Sequence, residues 1–180
     1  FSFMQDGPLD MRMGQDQALT AASLVNEAGP EELARIFREY GDQPGAWGLA
    51  RAIEQQRQAR RFETTKQLAD FIAQRHPRAG KKAHPATRVF LALRIAVNDE
   101  LGSLRRGLEG AVRMLRPSGR LCVITFHSAE DRLVKEFGRE QARDYIYPGE
   151  VDVPELRQPR VPVLRWVQRK AVLPGAEDLR

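Results

Sequence analysis

Residues 117–137, PSGRLCVITFHSAEDRLVKEF, decide how the chain must be read. Arg116-Pro117-Ser118-Gly119 is a turn, and Leu121-Cys122-Val123-Ile124-Thr125-Phe126 follows as a near-continuous apolar run. A run without polar alternation predicts a strand buried on both faces of a parallel sheet. His127-Ser128 ends it. Ser128 with Asp131 three residues later resembles a capping box, with Asp for the usual Glu, and opens a helix carrying Leu133, Val134 and Phe137. Upstream, a long helical pattern starts at Pro85. In its second half Leu101, Leu104, Leu108, Val112 and Leu115 keep helical spacing up to Pro117. Long helix, turn, buried strand and capped helix form one unit of a doubly wound α/β fold.

A buried parallel strand needs neighbours on both sides, and residues 1–118 supply no comparable strand. Tyr145 to Arg160 reads as Pro-rich loop, and Val161 to Leu173 offers one or two antiparallel edge strands. The rest of the sheet is therefore expected outside this chain, which reads as a fragment. Position 1 is Phe rather than Met, in keeping with that expectation.

Residues upstream of Pro85 read as helices. Gly29-Pro30-Glu31-Glu32 is a helix start, since Pro suits the first helical position and acidic residues suit the positive end of the dipole. Leu33, Ile36, Phe37 and Tyr40 then share a face, and Gly41 offers a stop. After the turn Gln43-Pro44-Gly45 a second helix is predicted from about Ala46 to Arg61, with Leu49 and Ile53 covered. Thr64 or Thr65 caps a third helix with Leu68, Phe71 and Ile72, ending before Pro77. Arg78 to Pro85 is a basic loop.

Composition bounds the function. Hydrophobic content of 42% and charged content of 29% are those of a soluble globular chain. The apolar run 121–126 is far too short to span a bilayer, so no membrane is expected as a partner. One cysteine and three histidines make a metal site an unpromising reading. A single Cys122 in an apolar run also points to a reducing compartment, and so to the cytoplasm. The net charge of +5 is unevenly spread: residues 1–50 hold 3 Lys/Arg against 8 Asp/Glu, while residues 51–94 hold 11 against 3. Such a block is either the footprint of a phosphate-rich partner or a solvated helical surface.

Three constellations could carry chemistry. In open α/β sheets ligands bind beyond the carboxyl ends of the strands, which places Phe126, His127 and Ser128 at such an edge. Ser128 and His127 have purely structural uses too, as a cap and as a partner for a carbonyl. A hydrolase reading fails because a nucleophile elbow wants Gly on both sides of the Ser. The second constellation runs from His84-Pro85-Ala86-Thr87-Arg88 through Arg94 to Asn98-Asp99-Glu100, with Arg94 and Asn98 as i, i+4 neighbours. The third is the opening stretch FSFMQDGPLDMRM, where Asp6, Asp10 and Arg12 are threaded among Phe1, Phe3, Met4, Leu9, Met11 and Met13. Charges among so many large apolar residues suggest a partly buried loop with paired polar groups.

Together FSFMQDGPLDMRM, HPATRVFLALRIAVNDEL and GRLCVITFHSAEDRLVK resemble, in order and spacing, the bacterial MraW family of ribosomal RNA methyltransferases. The resemblance runs unbroken from Phe1 to about Gln141 and is weaker to Arg180. It implies an α/β fold: the C-terminal part of a class I, Rossmann-like methyltransferase that uses S-adenosylmethionine, with an all-helical insertion. Residues 1–19 would be a loop of the methyltransferase domain, 20–84 the RNA-binding insertion, and 85–180 the rest of the methyltransferase domain. The implied substrate is the N4 amine of a decoding-region cytidine in 16S ribosomal RNA, and the implied partner the small ribosomal subunit. The cofactor-binding residues would lie upstream of Phe1, so the fragment alone is expected to be inactive. The rival expectation is a non-catalytic helical RNA-binding or ribosome-assembly module. Gly14, Leu91, Ala129 and the stretch 43–48 depart from the family pattern; the last removes basic residues from a helix start.

Methyl transfer from a sulfonium is an in-line displacement, so alignment carries much of the rate. The cytosine amine is a poor nucleophile, and an acceptor oxygen on its hydrogens would orient the lone pair and take the proton. The resemblance points to Asp10 or Ser128 as that acceptor, His127 as a pocket polar group and Phe126 as a wall for the flipped base. Arg12, Arg88, Arg94 and Asn98 complete the substrate side. Arg88 and Arg94 would contact phosphate or tie the opening loop down through Asp6 or Asp10.

Overall fold

The computed structural model describes residues 5–14, 17–75, 84–168 and 172. Seven helices dominate it: α1 (Ala21–Glu27), α2 (Pro30–Glu39), α3 (Ala46–Ala59), α4 (Thr65–Arg75), α5 (Thr87–Asn98), α6 (Glu100–Met114) and α7 (Ser128–Ala142). Two short strands, β1 (Tyr145–Ile146) and β2 (Gln158–Pro159), pair antiparallel. No described helix is long and apolar enough to cross a membrane.

The elements start where local chemistry allows. Pro30 opens α2 behind Gly29, and Leu33, Ile36 and Phe37 are buried along its face as the spacing predicts. α3 begins after Gly45 in the left-handed region (φ 66°) and buries Leu49 and Ile53. Thr64, not Thr65, caps α4: its Oγ1 accepts the Gln67 N–H at 3.3 Å while Gln67 Oε1 accepts the Thr64 N–H at 3.3 Å. α1 is an element that the sequence reading did not assign. Its seven residues are too few to show a period, but Thr20 and Ser23 form a reciprocal capping box.

The core joins the opening loop to the helices. Leu9 and Met11 lie in one apolar cluster with residues of α1 to α5, among them Val25, Phe37, Ile53, Leu68, Ile72, Val89 and Leu93. Arg57 closes the end of α1, donating from Nη1 to the carbonyls of Val25 (2.9 Å) and Ala28 (2.7 Å). α6 packs on α7 with Leu108 and Phe137 buried. Trp166 lies so close over Gly138 that a Cβ there would enter its ring.

Four expectations are corrected. The long helix from Pro85 is two helices. Asp99 adopts φ 46°, ending α5 with its N–H on the Ile95 carbonyl and beginning α6. Asp tolerates that conformation better than most residues, and one left-handed residue interrupts the helical ladder. The run 121–126 forms no ladder, and Ile124 and Phe126 are 78% and 89% exposed rather than buried. Strand backbone needs partner strands, and no described segment offers one to this run. The α7 cap is His127, not Ser128, and the acidic residue that reaches back over the helix start is Glu130, not Asp131. His127 Nδ1 accepts the Glu130 N–H (3.3 Å), and Glu130 Oε2 accepts the Phe126 N–H (2.8 Å). Finally, the antiparallel ladder lies at 145–146 and 158–159. Residues 161–168 and 172 contain no strand, and 169–171 and 173 lie outside the described residues.

Candidate functional site

The opening loop is held by the helices around it. Leu9 N–H donates to Glu63 O (2.9 Å), Thr65 N–H to Gly7 O (2.8 Å) and Thr65 Oγ1 to Gln5 O (3.1 Å). Asp6 sits at the N-terminus of α4, where the Lys66 N–H reaches its Oδ1 at 3.3 Å. The Thr64 hydroxyl, and then that amide, hold the Asp6 carboxyl below the usual range. Ala21 N–H and Ala22 N–H close the loop onto α1 through Asp10 O and Leu9 O, both at 2.7 Å. Phe1, Phe3 and Met4 lie outside the described residues.

Asp10 and Arg12 bind each other. Arg12 Nε and Nη2 donate to the two Asp10 oxygens at 2.7 and 2.9 Å, and Nη1 donates to Gln17 O at 2.8 Å. This bidentate pair, chiefly the guanidinium hydrogen bonds, holds the Asp10 carboxyl below its ordinary range. The ties expected from Arg88 or Arg94 to Asp6 or Asp10 are not the ones formed. Arg94 binds Glu100 with two bonds of 2.7 and 3.0 Å, and Arg88 Nη1 donates to Asp42 O at 2.8 Å. Asn98 ties the loop instead. Its Oδ1 accepts the Met13 N–H at 2.7 Å, and its Nδ2 donates to Met11 O at 2.9 Å and Arg94 O at 2.8 Å. Met11 itself sits at φ 64°, so the amide grips the loop where its backbone turns.

At the other end, His127 caps α7 and Ser128 is the first residue of the helix proper. Because Nδ1 accepts a hydrogen bond, a neutral ring carries its proton on Nε2, which is buried and 3.4 Å from Glu130 Oε1. Ser128 is spared the capping role, and its hydroxyl donates to Asp42 Oδ2. Arg132, one turn along α7, donates from Nη1 to Asp42 Oδ1 (3.0 Å) and from Nη2 to Glu39 O (2.8 Å). The Ser128 hydroxyl first, then Arg132 and Arg88, hold the Asp42 carboxyl below its usual range.

The structure therefore builds two clusters: Asp10–Arg12 with Asn98, and His127–Ser128 with Asp42 and Arg132. Among the described residues, no opening-loop hydrogen bond reaches Phe126, His127 or Ser128. Sequence reasoning missed Asp42, Glu130 and Arg132. Ser128 and Arg132 are i and i+4 on α7, so their shared face was legible; Asp42, 86 residues away, left no such signal.

Of the basic block, several side chains bind groups of the protein itself. Arg57 and Arg88 bind carbonyls and Arg94 pairs with Glu100. Arg61–Glu27 (2.9 Å) and Lys66–Asp70 (2.5 Å) are exposed pairs. Exposed pairs are worth about 0–1 kcal/mol, so those two cations remain exchangeable toward a phosphate. Arg78, Lys81 and Lys82 lie outside the described residues. The described residues contain no group of three or more His, Cys, Asp or Glu able to hold a metal ion.

Comparison with known proteins places this geometry in context. A family model described as the MraW methylase family matches residues 1–180. The chain is 49% identical, over 182 residues covering all of it, to a ribosomal RNA small subunit methyltransferase H of Symbiobacterium thermophilum. It is 47% identical over 180 residues, 99% of the chain, to the protein of that name in Carboxydothermus hydrogenoformans. A third, from Syntrophotalea carbinolica, is 51% identical over 150 residues, 82% of the chain. The chain spans 57% of the first two relatives' length and 48% of the third's.

Proposed function

This chain belongs to the MraW methylase family, and from that membership we propose that the protein transfers a methyl group to the N4 amine of a cytidine in 16S ribosomal RNA. The family implies an S-adenosylmethionine-dependent methyltransferase fold. We read it as class I and Rossmann-like, with residues 20–84 as a helical, RNA-facing insertion and residues 1–19 and 85–180 as methyltransferase domain. A substrate of that kind puts the protein in the cytoplasm, with the small ribosomal subunit as its partner.

We place the cofactor-binding residues outside this chain, a reading supported by the run 121–126 having no ladder partner among the described residues. What this chain contributes is the substrate side. The observation that carries the reading is the first turn of α7. With His127 in the capping position, the Ser128 hydroxyl is left out of the cap, on an exposed first turn two residues after the 89% exposed Phe126. An oxygen there can accept a hydrogen bond from the flipped cytosine's amine and turn the nitrogen lone pair out of the ring plane, and the proton freed by methyl transfer leaves to water. Phe126 offers the apolar wall that holds an unstacked base. Asp10, bound by Arg12, is the weaker candidate, because its carboxylate already accepts three hydrogen bonds from that residue. Arg12 and Asn98 shape the loop beside it.

The test is methylation of small ribosomal subunits by the full-length protein, wild type against Asp10→Ala, His127→Ala and Ser128→Ala. Loss with Ser128→Ala and retention with Asp10→Ala is the expected pattern. His127→Asn, which keeps a capping oxygen, should recover much of what His127→Ala loses. Wild-type protein that leaves the cytidine amine unmethylated would sink the proposal.

A further inference from the structure

The turn between α2 and α3 touches more of the molecule than its length suggests. Gly41 lies directly on α5: a Cβ there would run into the Arg88 carbonyl oxygen and come within 3.1 Å of Phe37 O and the Ala92 methyl. Only glycine permits that approach. The next residue, Asp42, takes φ 46° and faces two ways. Its carbonyl accepts Arg88 Nη1 from α5, and its carboxylate accepts the Ser128 hydroxyl and Arg132 Nη1 from α7. Arg132 Nη2 on Glu39 O, the last residue of α2, closes the ring. One residue of the helical part is thus bonded, by separate groups, to the helix that holds the opening loop and to the helix that carries the candidate acceptor.

We propose that Asp42 is a positioning residue for methyl transfer, which sets the Ser128 hydroxyl as a pure acceptor and holds the first turn of α7 against the helical insertion. The inference rests on the reading of Ser128 given above. A serine hydroxyl has one hydrogen and two lone pairs. Left uncommitted, it rotates, and in some orientations it points its hydrogen at the amine, donor against donor. With that hydrogen given to Asp42 Oδ2, only lone pairs face outward. Arg132 keeps the carboxylate from swinging away, and Arg88 fixes the backbone beneath it. Asp42 touches no reacting atom; its effect is geometric. Because Asp42 belongs to the turn between two insertion helices, RNA seated on the insertion and the acceptor on α7 are held by the same clamp.

The experiment uses the full-length protein with small ribosomal subunits and measures kcat and KM separately for Asp42→Ala, Asp42→Asn, Ser128→Ala and the double variant Asp42→Ala/Ser128→Ala. Asp42→Ala should lower kcat about tenfold to a hundredfold, the scale of a misplaced reacting group, with KM changed much less. The double variant should be no slower than Ser128→Ala alone, because Asp42 acts only through that hydroxyl. Asp42→Asn keeps a carbonyl oxygen for the Ser128 hydrogen and should recover most of the kcat. Wild-type kcat in Asp42→Ala, or losses that multiply in the double variant, overturns the proposal. So does a loss in Asp42→Ala that follows a lowered melting temperature and is not rescued by Asn. If the wild-type protein methylates no cytidine amine, the functional reading fails before this one is reached.

Discussion

Asn98 was legible as the i, i+4 neighbour of Arg94, and the structure shows what it is for. It grips Met11 O and the Met13 N–H, and Met11 is buried. Asn98→Asp turns the donor into a carboxylate aimed at the carbonyls of Met11 and Arg94, so it should destabilise by about 1–3 kcal/mol, the cost of unsatisfied buried groups. Urea unfolding of this chain reads that directly, and an unchanged midpoint would refute it. Asp10 and Arg12 were legible too, but not as each other's partner. Two residues apart in an irregular loop have no fixed geometry until the loop is folded. Folding lowers the pKa of Asp10 and Asp42, so both carboxylates contribute their stabilisation at every pH above about 3.9. That contribution is lost only as pH falls below the unfolded value and through the folded one. Melting temperature should therefore be indifferent to these two groups from pH 6 to 8 and fall below pH 4, and Asp10→Asn should flatten part of the fall.

At the scale of elements, helices with strong periods and ordinary caps came through: α2, α3 and α4 lie where their apolar spacing puts them. What failed was interruption. Asn98-Asp99-Glu100 was visible as three polar residues in a row, yet periodicity on both sides favoured one helix. The left-handed turn at Asp99 decides otherwise. Asp99→Gly should be tolerated or mildly stabilising, since glycine takes φ > 0 freely, whereas Asp99→Val should cost about 1–2 kcal/mol through the Cβ clash. Thermal melts of the two variants separate the cases; equal losses would mean that Asp99 matters through its 3.0 Å pair with Arg106 instead. The cap of α7 moved by one residue for a comparable reason. Ser128 and His127 are both acceptable caps, and only the backbone, with His127 extended at φ −144°, says which one lies outside the helix.

For the whole molecule, the opening loop and α1 to α5 share a core, while Ile124 and Phe126 of the run 121–126 lie largely in water. A cofactor pocket at a sheet edge needs the sheet, and this run has no ladder partner among the described residues. We therefore expect the 180-residue chain by itself to show no heat of binding with S-adenosylmethionine in calorimetry; a measurable affinity would refute this. The core, by contrast, should melt cooperatively, and Gly41→Ala should lower its melting temperature by several degrees by prying the α2–α3 turn off α5.

The amino-acid sequence by itself determined the helices with clear periods, the turn at 116–119, the residues worth watching and the family. Those follow from local spacing, backbone preference and long motifs that sit in one stretch of chain. Tertiary structure alone decided the pairings: Arg94 with Glu100, Asn98 with the opening loop, and Ser128 and Arg132 with Asp42. A hydrogen bond between residues 86 positions apart depends on how whole helices pack, and no periodicity in the chain encodes which side chains will then face each other.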